Sequence, residues 1–122
     1  VKDCYAYMFS NTLLTTAPEL PATTLAETCY SAMFSDCAAL TTVSSLPATI
    51  LANYCYSYMF RNCTKLNYIK CLATDKSFIN CTKEWISEAP STGTFVKHPD
   101  MNDWTTGSSG IPSGWNIENA EI

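Results

Sequence analysis

The chain has 122 residues, 47% hydrophobic and 15% charged, with a formal net charge of −4; that balance belongs to one folded domain and excludes a highly charged disordered tail. Its seven basic residues are scattered, which excludes the clustered cations that nucleic-acid phosphates require. The apolar runs fall far short of the roughly 18 residues of a membrane-spanning helix, so no membrane insertion is expected of this chain.

From the N-terminus, the segment Cys4-Tyr-Ala-Tyr-Met-Phe9 returns as Cys29-Tyr-Ser-Ala-Met-Phe34 and Cys55-Tyr-Ser-Tyr-Met-Phe60, at offsets of 25 and 26 residues. The register continues through Leu14, Leu40 and Leu66, through Leu20, Leu46 and Leu72, and through Pro21–Leu25 and Pro47–Leu51; Cys81 keeps the phase of Cys29 and Cys55. A period in the twenties is the signature of stacked repeats. Because the chain starts in mid-repeat, further coils upstream are expected.

Within each unit, Leu25, Cys29, Met33 and Cys37, like Leu51, Cys55, Met59 and Cys63, recur every fourth residue, which predicts one apolar stripe along a short helix. The following Leu40–Leu46 segment is rich in β-branched residues and stops at Pro47, which predicts a short strand and a turn. Parallel strands stack roughly 4.8 Å apart and packed helices roughly 8–10 Å apart. The expected fold is therefore an α/β solenoid: a curved, right-handed stack with strands inside the bend, helices outside, and a C-terminal β cap. The expected division is 1–82 for about three repeats and 83–122 for the capping segment.

Seven cysteines cannot all pair within the chain. On a helix Cys55 and Cys63 would stand about 12 Å apart, beyond the roughly 7 Å between Cα atoms that a disulfide tolerates. The cysteines are read as ladders of small buried groups, with a disulfide or metal role as the alternative; zinc fits poorly, since no CxxC pair occurs and His98 lies outside the repeats. Cys71, whose counterparts are Glu19 and Ser45, is the best candidate among them for an exposed or reactive thiol, although an ordinary buried position is the preferred reading for it too.

The pattern Leu40-x-x-Val43-x-x-Leu46-Pro47, followed by Tyr58-Met59-Phe60-x-x-Cys63-x-x-Leu66, resembles the BspA-like leucine-rich repeats of bacterial cell-surface proteins, in particular the cysteine-rich variant of gut Bacteroides. It departs from their usual form in its longer unit and in Tyr-Met-Phe where Ala-Phe is common. The resemblance covers residues 4 to about 82, and the tail is similar to the C-terminal segment of the same proteins. It implies an exported, extracellular or surface-attached protein that binds a host or matrix protein or a glycan.

The composition changes after Cys81: all four glycines and all three tryptophans lie in the last third. Thr94–Lys97 and Trp115–Glu118 read as short strands around a Gly/Ser/Pro loop, with Trp85 burying its ring against the last repeat. This tail is expected to cover the end of the stack, the alternative being a carbohydrate platform made of its aromatic rings.

No residue set for catalysis stands out. His98 precedes a proline in a sequence that reads as a turn, Lys97-His-Pro-Asp100, and Glu84, Glu88, Asp100 and Asp103 have the spacing of an ordinary polar surface. Neither a cofactor nor a metal is expected, and the chain is read as no enzyme. Asn62 and Asn80 each open an Asn-Cys-Thr triplet, which formally matches a glycosylation acceptor but is read as turn chemistry. What remains is a repeated surface: Thr15-Thr16, Thr41-Thr42 and Asn67-Tyr68 in one row, and Tyr5, Tyr30 and Tyr56 in another, with Tyr7 and Tyr58 beside it. The candidate ligand-binding residues are Thr16, Thr42, Tyr68, Tyr30 and Tyr56. The expected function is a non-catalytic binding or adhesion module; the alternative is a structural spacer within a larger surface protein.

Overall fold

The computed structural model describes residues 6–17, 25–43, 45–75 and 77–121. Three short strands form one open sheet: β1 (Tyr68–Cys71), β2 (Thr94–Lys97) and β3 (Asn116–Asn119), in the order β1-β2-β3 with both pairings parallel. Ile69 pairs with Phe95 and Phe95 with Ile117. The expected strand over 40–46 is reduced to isolated parallel bridges, Thr16 with Thr42 and Leu46 with Cys71.

This overturns the helix-containing solenoid with a separate cap. No helix occurs among the described residues. The segments expected to be helical are runs of tight turns, and the cause is visible in the backbone. Thr28, Ala32 and Asp36 have φ of 62°, 54° and 62°, and Tyr54, Tyr58 and Asn62 have 59°, 56° and 61°. A left-handed residue at every fourth position cannot belong to an α-helix, whose residues all sit near φ −63°. The N–H groups alternate accordingly. Those of Cys29, Ser31, Met33, Ser35 and Cys37 donate three residues back within the turn, while those of Thr28, Tyr30, Ala32, Phe34 and Asp36 donate to Asn53, Cys55, Ser57, Met59 and Arg61 of the next segment. The same alternation recurs from Tyr54 to Cys63, whose even-numbered residues donate to carbonyls between Ile79 and Ser87.

Segments 25–26 residues apart are thus joined by backbone hydrogen bonds on the turn side as well as the strand side. Hydrogen-bonded neighbours lie roughly 4.8 Å apart, so the wide helix spacing that would have forced a bend does not arise. The tail does not form a separate cap either. Its strands β2 and β3 extend the sheet begun by β1, and Tyr58 and Phe60 donate to the carbonyls of Lys83 and Trp85. The range of β2 coincides with the strand read from sequence, and β3 is shifted by one residue.

Equivalent side chains fill the interior in files. Phe9, Phe34 and Phe60 stack with ring centroids 5.7 and 5.9 Å apart, nearly parallel. Tyr30, Tyr56 and Trp85 form a second file at 6.3 and 5.9 Å, and Trp104 stacks on Trp85 at 5.5 Å. Offset stacking at these distances adds to the burial of the rings. Cys29, Cys55 and Cys81 are buried in a third file, and all six cysteines among the described residues are buried; Cys4 and Tyr5 lie outside the described residues. Cys37 and Cys63 each donate the thiol hydrogen to the preceding segment, to the carbonyls of Phe9 at 3.1 Å and Phe34 at 3.0 Å. Cysteine here is both a filler and a tie between layers.

Candidate functional site

The strand side carries the outward row. In β1 the inward residues Ile69 and Cys71 are fully buried while Tyr68 and Lys70 are partly exposed, the alternation of a sheet with one face on the core. Tyr68 pairs with Thr94 and Thr94 with Asn116, while Thr42, 26 residues before Tyr68, bridges Thr16. Thr16 with Thr42, and Tyr68 with Thr94 and Asn116, give two runs of outward residues, and Thr42 and Tyr68 meet at one depression. The backbone beneath is engaged: Thr41 donates to Thr15, Asn67 to Thr41, Thr94 to Asn67 and Asn116 to Gly93.

Beside Tyr68 the row opens into a depression of about 520 Å³, lined by Thr42, Asn67, Tyr68, Thr92, Gly93 and Thr94. Gly93 has a steric reason for being glycine. A Cβ there would stand 2.5 Å from the Trp115 ring, whose Nε1–H donates to the Pro90 carbonyl at 2.9 Å. None of the six lining residues carries a charge. Among the described residues, no intramolecular hydrogen bond engages the side chains of Thr42, Asn67, Tyr68, Thr92 or Thr94.

Of the five residues proposed from sequence, Thr16, Thr42 and Tyr68 lie on this outward row, and Thr42 and Tyr68 meet at the depression. Tyr30 and Tyr56 do not. They are 3% and 1% exposed and stacked on each other, because the tight turns direct them into the core instead of leaving them on a helix surface. Burial pushes the Tyr56 phenol well above its ordinary range. Thr92, Gly93 and Thr94 were missed because the tail was read as a cap. The signal was present: Gly93 follows Asn67, and Thr94 follows Tyr68, by the repeat's own 26 residues.

Cys71 is fully buried, and desolvation pushes its thiol up to about 12, as it does that of Cys63. Burial of the sulfur and its raised pKa both disfavour the thiolate, which is the attacking form, and Cys71 takes the ordinary buried position. His98 accepts the backbone N–H of Asp100 at Nδ1, 3.0 Å away, and its ring stands 4.0 Å from that residue's carboxylate; this is a local turn contact. Among the described residues no group of three or more His, Cys, Asp or Glu is placed to hold a metal ion, and no helix is long and apolar enough to cross a membrane. Asn62 and Asn80 occupy left-handed positions, φ 61° and 48°, a conformation asparagine tolerates better than most residues, and Asn62 donates to the Asp36 carboxylate at 2.7 Å. No family model, curated protein or solved structure matches the chain.

Proposed function

We propose that this chain is a non-catalytic binding module that presents its strand-side surface to a protein or glycan ligand outside the cell or at the cell surface. The observation that carries the reading is the depression beside Tyr68: five polar side chains with open hydrogen-bonding capacity, held in register by a backbone already bonded beneath them. A rigid, pre-formed surface loses little entropy on association, and tyrosine offers a large contact area with two side-chain torsions. The motif resemblance to BspA-like surface proteins supports the same reading and supplies the extracellular setting. The alternative, a structural spacer, is favoured by the Thr16 and Thr42 end of the row, where only small hydroxyl side chains are displayed. An array of immobilised glycans and extracellular-matrix proteins probed with the folded chain separates the two. Saturable binding to at least one ligand supports the module, and silence across the array supports the spacer.

A further inference from the structure

We infer that the depression beside Tyr68 is a subsite for a neutral carbohydrate; the inference rests on the binding-module reading above and narrows it. Three properties of the depression select the ligand chemistry. Its volume, about 520 Å³, lies within the range of small-molecule sites and is open along the row, so it admits a few residues of a chain. Its lining holds a single large apolar surface, the partly exposed Tyr68 ring, surrounded by three threonine hydroxyls and the Asn67 amide. A sugar ring has the matching pattern, an apolar C–H face edged by hydroxyls that both donate and accept. Threonine hydroxyls and an asparagine amide likewise both donate and accept.

Charge narrows it further. No lining residue carries a charge, and the chain as a whole carries −4. A sulfated or uronic-acid polymer would meet no cation in the depression, since Lys70 on the same face of β1 lies outside its lining. An extended peptide is served less well. The backbone groups of this part of the sheet are already paired, Asn67 with Thr41 and Thr94 with Asn67, so no strand can be added there, and the lining offers no second apolar pocket for an anchoring side chain. Gly93 completes the site from below, since the Trp115 ring packed under it leaves no room for a side chain.

The test uses the folded chain, isotope-labelled, titrated with cellohexaose, maltohexaose, chitohexaose and a neutral high-mannose glycan while amide spectra are recorded. At least one of these is expected to shift the amides of Thr42, Asn67, Tyr68, Thr92, Gly93 and Thr94 together in a saturable way. Tyr68→Ala is expected to weaken that binding by about tenfold or more, a change of about 1.4 kcal/mol, Tyr68→Phe to stay within about threefold, and Lys83→Ala, exposed on the turn side, to leave it unchanged. Mapping on the unmodified protein does not depend on any variant folding. Binding of a matrix protein without any response to the four sugars overturns the carbohydrate subsite and leaves the binding module standing. Sugar binding that maps to Trp104 or to the turn side overturns the location. No binding to any sugar or matrix protein overturns both.

Discussion

Trp85 joins the motif-bearing part of the chain to the tail, and its removal has a calculable cost. Its side chain is fully buried, with ring centroids 5.9 Å from Tyr56, 6.0 Å from Phe60, 6.1 Å from Phe95 and 5.5 Å from Trp104. Its Nε1–H donates to the buried Gly110 carbonyl at 2.8 Å. Trp85→Ala removes the ring from a site held on several sides, at a cost of about 3–5 kcal/mol. Trp85→Phe retains much of the packing but leaves the Gly110 carbonyl without its donor, a loss of about 1–3 kcal/mol. Against a total stability of about 5–15 kcal/mol for a domain, the first change brings the protein close to unfolding and the second does not. Urea titration followed by far-ultraviolet circular dichroism reads both, with each variant's midpoint taken between its own folded and unfolded baselines. The expected order of midpoints is wild type, then Trp85→Phe, then Trp85→Ala. An alanine variant within about 1 kcal/mol of wild type would show that the tail is not anchored on Tyr56 and Phe60.

The buried thiols give two further outcomes. Iodoacetamide at pH 8 is expected to leave Cys29, Cys37, Cys55, Cys63, Cys71 and Cys81 unmodified in the folded protein, all six being buried, and to label them in denaturant; rapid labelling of any of the six under native conditions, read by peptide mass, contradicts their placement. Cys63 and Cys71 ionise near 12 when folded, against an ordinary value of 9.0, so stability is expected to be constant with respect to these thiols below about pH 9. It then falls as pH rises through the interval up to 12, because only the unfolded chain releases the protons, with a slope of up to about 1.4 kcal/mol per pH unit for each thiol. Urea midpoints between pH 8 and 10.5 check this. At the left-handed position Asn62, Asn62→Val is expected to cost about 1–2 kcal/mol and Asn62→Gly close to nothing, which thermal melts resolve. Gly93→Ala would drive a Cβ to within 2.5 Å of the Trp115 ring, and overpacking of this kind costs about 1–3 kcal/mol; an unchanged melting temperature would mean that the ring moves freely.

The register of the chain was legible in its residues, and the secondary structure of the turn side was not. The 26-residue offsets that align Cys29 with Cys55 and Met33 with Met59 also set the backbone bonds, which run one residue short of the full period, from Tyr30 to Cys55 and from Phe34 to Met59. The helix was inferred from apolar residues at strict steps of four, and that strictness is itself informative. On an α-helix of 3.6 residues per turn a four-residue stride drifts by about 40° each time, so Leu51, Cys55, Met59 and Cys63 would wind well off one face. On a ribbon of four-residue turns they stay aligned, and all four are buried. The local composition agrees, since Tyr, Asn, Cys and Ser dominate Asn53–Cys63 and are middling helix formers. The burial of Tyr30 and Tyr56 followed from the same misreading, as a turn ribbon points inward residues that a helix would have left at its flank. Thr42 and Tyr68 were legible because strand alternation survives even where only a bridge forms. The contribution of Thr92, Gly93 and Thr94 was hidden by the glycine- and tryptophan-rich composition around them, which drew attention away from a period that had not ended.

The alternating direction of the amide bonds in the turn ribbons has a consequence for how the molecule comes apart. Since every second amide from Thr28 to Asp36 and from Tyr54 to Asn62 depends on the neighbouring segment, an excised segment would forfeit those bonds and could not keep its shape in water. Loss of order should advance inward from the two extremities like a zip, leaving the amides around Cys55 to Phe60, bonded to segments on both sides, as the last to exchange their hydrogens with solvent.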